Sequence, residues 1–343
     1  YDVIISEPSN PWIAGIGNLF TREYYQLARA KLTADGVFGQ WMQTYAMAPE
    51  DLRMVYRTFA EVFSHVSLWA VNDSDMVLIG TLRAQRLRHA DLRAALADRA
   101  VARQDLRALG FRDAYSLLAM YLMPRPSLLK MAGQADINLD DMPRLEFSAP
   151  RNLGRDTTTL NLRLTQEFVV PPAAEDADPD QDPTGQLALS LAHGFEATRD
   201  RDRALLWVDR ALRKSPADPE ARLLRARLLA EEGRSGSATE ELLKVVTGPI
   251  RMLRGAVEVV KSLEAEDAIA VLRHIRERDP HLSEARVALA DALYRGGHHG
   301  QAENEYREVQ RGRPSDPQVF FGLGRALLAQ EAYDKALAAF DQA

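Results

Sequence analysis

The residues best placed to do chemistry lie just after the first apolar run. Val3-Ile-Ile5 leads into Glu7-Pro-Ser-Asn10-Pro-Trp12, bringing a carboxylate, a carboxamide and an indole onto one short segment. A carboxylate on a loop that follows a buried strand can take a proton or hold a cation, because such loops open into the crevice at the carboxyl ends of the strands. The bland alternative for Glu7 is a capping or loop residue. Gly15-Ile-Gly17 follows without the third glycine of a dinucleotide fingerprint, and reads as a flexible loop beside the site. Trp12, Trp41 and Trp69 read as core or crevice-wall residues.

Other constellations are weaker. Asp176, Asp178, Asp180 and Asp182 alternate like calcium ligands, but Pro179 and Pro183 occupy positions that need flexibility, and no closing glutamate follows at the required spacing. His298-His299 lies between Gly297 and Gly300, as in a solvated turn. Asp140-Asp141 reads as a loop in which Asp141 caps or pairs with an arginine. Arg83, Arg86, Arg88, Arg93, Arg99, Arg103, Arg107 and Arg112 are interleaved with Asp91, Asp98 and Asp105, which describes a solvated helical face.

The elements that must position Glu7 follow from pattern. Tyr1–Ser6 reads as a buried strand, residues 22–31 as an amphipathic helix, and Asp35-Gly36 as the turn into a strand over Val37–Gln43. A helix over Pro49–Phe63 and strands over 66–71 and 75–81 complete a β-loop-α-β-α-β-β order, the second half of a doubly wound α/β domain ending in an antiparallel hairpin. The 343 residues include no cysteine, which excludes disulfides, thiolate metal sites and a cysteine nucleophile. A net charge of −6 gives no reason to expect nucleic acid as a partner. The longest apolar stretch, Leu117–Met123, is too short to span a membrane, and the composition fits a cytoplasmic-facing chain. The chain opens inside a strand, so a piece of a longer protein is expected.

YDVIISEPSNPW, followed by NLFTREYYQLARAKLTADGVFGQW, resembles the second half of the spermidine synthase (polyamine aminopropyltransferase) family. It is most similar to the branch fused behind membrane-spanning helices, as is the later run Asn138-Leu-Asp140-Asp141-Met-Pro143-Arg-Leu-Glu146-Phe. The resemblance implies an S-adenosylmethionine-type Rossmann-like fold and transfer of an aminopropyl group from decarboxylated S-adenosylmethionine, the co-substrate, to a small amine. It implies Glu7 as the base that takes or orients the amine proton, and Asn10, Trp12 and Gln40 as substrate-binding candidates. Asn10 stands where the family has a second acidic residue, and Asn72-Asp73-Ser74-Asp75 replaces its tyrosine-bearing loop. The family's glycine-rich loop and ribose-binding acid precede this strand, so the residues present imply no nucleoside site and no turnover by themselves. Membrane attachment is implied only through segments before Tyr1.

Beyond residue 184 a repeat appears, with small or apolar residues at fixed offsets in units of about 34 residues. The units start at Gly185, Pro219, Pro249, Ser283 and Pro317. They supply Ala192 and Ala204, Ala226 and Ala238, Ala256 and Ala268, Ala290 and Ala302, and Gly324 and Ala336 at matching places. Small residues let two antiparallel helices approach, Tyr306 and Phe340 fill the gap to the next unit, and Pro280 and Pro314 end second helices. This pattern resembles tetratricopeptide repeats, an all-α solenoid, and the resemblance implies a protein or peptide partner.

The expected organisation is therefore residues 1–83 as the synthase-like half-domain and 84–170 as a helical extension. Residues 171–184 form an acidic, proline-rich linker, and 185–343 carry about five repeats, the last incomplete. Two functions stay open. One is an aminopropyltransferase-type protein with an interaction module. The other is a synthase-like domain that has lost catalysis and acts with the repeats as a scaffold or sensor.

Overall fold

The computed structural model describes every residue except Asp73, Gln85, Ala173, Arg313 and Pro314. The expectations placed on Asp73 in the hairpin and on Pro314 at a helix end fall outside the described residues. The chain divides into two compact units, 1–204 and 205–343.

The first unit is built on a five-stranded sheet. Strands β1 (Val3–Ser6), β2 (Val37–Gln43), β3 (His65–Ala70), β4 (Asp75–Thr81) and β5 (Tyr121–Pro124) lie in the order β1-β2-β4-β3-β5. Only β1 and β2 run parallel, with Ser6 opposite Gln40, and the other pairs are antiparallel. Helices α1 (Arg22–Lys31) and α2 (Pro49–Val62) follow β1 and β2. The Thr21 hydroxyl caps α1 by accepting from Tyr24 N, and Pro49 at the first turn of α2 needs no donor.

Both helices pack on the sheet face that carries Phe38. Its ring stacks on Phe63 at 5.5 Å, and Tyr25 meets Phe59 edge-on at 5.0 Å. Gly80 permits this approach, since a Cβ there would lie 2.6 Å from the Phe63 ring. Successive strand residues face opposite sides, so Val3 and Ile5 point away from the helices and are 59% and 75% exposed. The expectation of a buried β1 is corrected: within it only Ser6 is buried.

The extension is not purely helical. Helices α3 (His89–Ala97) and α4 (Ala100–Ala108) precede a 3-10 turn over Ser116–Met120, and β5 then adds to β3 before α5 (Arg125–Ala132). Helices α6 (Arg144–Ser148) and α7 (Thr158–Gln166) complete it. The acidic segment is also corrected. Rather than a free linker, it packs on the unit, with Pro172, Ala174 and Pro179 buried. Its charges accept backbone donors: Asp176 takes His89 N at 2.6 Å and Ala90 N at 3.0 Å at the start of α3, and Asp182 takes Leu187 N at 2.8 Å. The Tyr115 hydroxyl donates to Ala177 O at 2.8 Å.

Among the described residues ten α-helices follow: α8 (Gln186–Ala197), α9 (Arg201–Lys214), α10 (Pro219–Glu231), α11 (Ser235–Val246), α12 (Leu253–Val260), α13 (Ala265–Arg278), α14 (Ser283–Arg295), α15 (His299–Gly312), α16 (Pro317–Leu328) and α17 (Tyr333–Phe340). The unit boundary falls within α9. Asp218 and Asp316 cap α10 and α16, each with proline at the first turn. In the second unit the repeat positions Ala226, Ala238, Ala256, Ala268, Ala290, Ala302 and Ala336 all lie in one continuous core. The third pair is shortened because a 3-10 turn over Ile250–Met252 stands where the start of its first helix would be, leaving α12 at eight residues.

Candidate functional site

The loop after β1 and the turn after β2 meet at the carboxyl ends of the two parallel strands. Ser6 closes β1 and accepts the Tyr24 hydroxyl at 3.0 Å, fixing the strand end to α1. Glu7 follows and is exposed, whereas Pro8 is buried. Asn10 accepts the Tyr45 hydroxyl at 3.3 Å through Oδ1, and Trp12 meets the Tyr45 ring edge-on at 6.1 Å. Tyr45 thus links both loop candidates to the end of β2. Burial, and then the negative charge of Asp75, raise its phenol above the usual range, so it stays a donor.

Gln40 differs from these surface residues. It is fully buried, its Nε2 donates to Trp41 O at 3.0 Å, and its Oε1 has no partner among the described residues. Gln40 therefore lies beneath the strand ends rather than in the loop surface with Glu7.

The loop is pinned, which corrects the expectation of flexibility at Gly15–Gly17. Glu146 accepts Gly15 N at 2.7 Å and Gly17 N at 3.3 Å, using both carboxylate oxygens. A Cβ on Gly17 would come within 2.8 Å of Glu146 Oε2. Asn138, fully buried, donates to Gly17 O and Phe20 O at 3.3 Å and accepts Leu145 N at 3.2 Å. Asp51, at the third position of α2, accepts Ser148 Oγ at 2.6 Å, and burial raises its carboxyl against that hydrogen bond. Spacing alone does not single out Tyr45, Glu146, Asn138 and Asp51. Asn138 and Glu146 do stand in the segment that carries the family resemblance, whereas nothing in the sequence marks Tyr45.

Several of the remaining candidates have structural partners. Asp140 N donates to Glu23 Oε2 at 3.0 Å, and Arg144 pairs with Asp136 at 2.7 Å rather than with Asp141. Arg83 pairs with Asp35, Arg86 with Glu175, and Arg88 with Asp91. His298 Nε2 lies 3.0 Å from Glu266, and the His299 ring is 5.3 Å from Tyr294. Among the described residues no group of three or more His, Asp or Glu side chains is arranged to hold a metal.

The second unit presents a different surface. On the first helices of its last two pairs, Arg325 lies over the Tyr294 ring at 4.3 Å and near Phe321 at 5.9 Å. Phe321 is 53% exposed and Leu328 48%. A guanidinium held by aromatic rings beside exposed apolar groups can bind a peptide bearing both an apolar side chain and a carboxylate.

Residues 189–249, 256–317 and 287–343 match the tetratricopeptide repeat family model. The search of curated proteins finds no match. Among solved structures, the chain is similar to the crystal structure of MamA protein (20% identity, 46% of this chain, 89% of that one, TM-score 0.39). It is also similar to YrrB, described as a TPR protein with an unusual peptide-binding site (18% identity, 48% of this chain, 86% of that one, TM-score 0.38). A third is MamA 41-end from Desulfovibrio magneticus RS-1 (16% identity, 47% of this chain, 93% of that one, TM-score 0.39). No described helix is long and apolar enough to cross a membrane. The helical pairs over residues 189–343 are tetratricopeptide repeats.

Proposed function

We propose that the chain is an interaction protein whose repeats hold a protein or peptide partner. The observation that carries this reading is the continuous repeat core that leaves Phe321, Leu328 and the Arg325–Tyr294 stack facing outward. Apolar groups of that size on the surface of a packed repeat mark a contact site. Affinity capture with the full chain tests it. A partner retained by the parent and lost by Phe321→Ser with Arg325→Glu supports the reading. Capture of nothing by either form sinks it.

A second reading concerns residues 1–83 of the first unit, which we propose as an aminopropyltransferase-type half-domain. One observation favours it: β4 is inserted antiparallel between β2 and β3, and the loops after the two parallel strands converge through Tyr45 on Asn10 and Trp12. In this reading the neutral amine nitrogen attacks the carbon next to the sulfonium of decarboxylated S-adenosylmethionine. The carbon–sulfur bond breaks, the thioether leaves with the electron pair, and the amine proton passes to the Glu7 carboxylate. Asn10 and Trp12 line the amine's approach, and Gln40 supports the strand end from below. Calorimetric titration of the chain with putrescine decides. Putrescine heat abolished by Glu7→Gln supports the reading, and no heat from putrescine rules it out.

A further inference from the structure

The second unit holds a cleft of about 370 Å³ lined by residues of α9, α10 and α11 and by Pro216, away from the Phe321 surface in sequence. Its wall is cationic: Arg213, Arg222, Arg225 and Lys244 face only two carboxylates, Asp209 and Glu241. Glu241 is almost fully buried and saturated. It takes Arg222 Nη1 at 2.6 Å on one oxygen, and Lys244 Nζ at 2.9 Å and Arg225 Nη1 at 3.2 Å on the other. Arg225 Nε turns to Asp209 at 2.8 Å. Arg213 is exposed and has no ion-pair partner among the described residues. Arg222 makes one hydrogen bond through Nη1, leaving further guanidinium donors for an acceptor.

The buried carboxylate therefore acts as an anchor. It fixes two guanidinium groups in place before any ligand arrives, which lowers the ordering cost of binding an anion. Burial would raise the Glu241 carboxyl, but hydrogen bonds from Lys244 and Arg222, together with their charge, hold it below the usual carboxylate range. The anchor thus stays ionised at neutral pH. Four cationic side chains against two carboxylates leave the lining net positive. Leu212 and Pro216 flank it with apolar surface, and no aromatic ring lines it that could stack a base.

Resting on the reading of the repeats as an interaction module, we propose that this cleft binds an acidic peptide segment, with Arg213, Arg222 and Lys244 receiving its carboxylates. The site lies between the second helix of one repeat and both helices of the next, so it extends the partner surface beyond the Phe321 face.

The test uses the full chain and a fluorescein-labelled polyglutamate peptide, followed by fluorescence anisotropy. The parent is expected to bind in a salt-dependent way. Arg213→Glu with Lys244→Gln is expected to weaken binding at least about tenfold, because it removes positive charge at two exposed positions while Glu241 keeps its bonds from Arg222 and Arg225. Arg311→Glu, on α15, serves as the control and should leave binding unchanged. Circular dichroism of each variant, with the parent's helix content retained, shows that lost binding is not lost folding. Three results overturn the proposal: no binding by the parent, equal weakening by Arg311→Glu, or a single-stranded oligonucleotide binding as tightly as the peptide. If the Phe321 surface still captures a partner while polyglutamate fails to bind, the module reading stands and this site falls.

Discussion

At the scale of single residues, the best-defined device is the Glu146 carboxylate. Each of its oxygens takes a backbone N–H from the Gly15–Gly17 segment, and the shorter contact is 2.7 Å. Charge-assisted hydrogen bonds of this kind are among the stronger ones, and removing the acceptor leaves two donors without a protein partner. Glu146→Ala is therefore expected to free the loop that carries Asn10 and Trp12. Amide hydrogen exchange at residues 13–18 should quicken, while exchange in β2 and α2 stays slow. Overall stability should fall by about 1–3 kcal/mol, read from urea unfolding. Unchanged exchange in the loop would show that Glu146 is not what holds it. Asn138 gives an internal comparison: it is fully buried and bonds three backbone groups of the same region, so Asn138→Ala should cost stability more broadly.

At the scale of elements, α8 meets the 3-10 turn at Ser116–Met120 through a glycine. A Cβ on Gly194 would lie 2.1 Å from Ser116 O and 2.6 Å from the Ala119 Cβ. The first obstacle is backbone and cannot rotate away, so Gly194→Ala should destabilise the first unit by about 1–3 kcal/mol, as overpacking does. A thermal midpoint equal to the parent's would refute this contact. The elements divide by how locally they are specified. Helix α1 and strands β2 and β4 are legible in the sequence because Thr21, Asp35-Gly36 and the Asn72 turn punctuate them from within. Strand β5 is not, because Tyr121–Pro124 becomes a strand only by finding β3, far away in sequence. The acidic segment misleads for the same reason. Its aspartates look solvated until Asp176 meets the start of α3, 86 residues before it. The candidate site divides likewise: Glu7, Asn10 and Trp12 are legible as one local motif, whereas Tyr45 and Glu146 join them only through the fold.

At the scale of the whole molecule, the two units have separate hydrophobic clusters with no residue in common: one centred on Phe38 and Phe59, the other running through the repeats from Leu223 to Ala339. Each cluster should melt as its own cooperative event, so chemical denaturation should resolve two transitions. Phe38→Ala is expected to lower the first unit's transition by about 3–5 kcal/mol, and Leu293→Ala the repeat transition by about 2–5 kcal/mol. In each case the other transition should stay where it is. The repeat transition should also carry a distinct acid dependence. Because Glu241 is held below the usual carboxylate range, the folded repeats bind fewer protons there than the unfolded chain does. Its contribution is thus complete above the ordinary carboxylate range and is lost as pH falls through that range and below. Glu241→Gln should lower the repeat transition at neutral pH, since Arg222, Arg225 and Lys244 would lose their shared counter-charge. The same variant should show a shallower loss of repeat stability on acidification, with the first unit's pH profile unchanged. A single transition shifted equally by all three substitutions would mean that the two cores do not unfold as separate events.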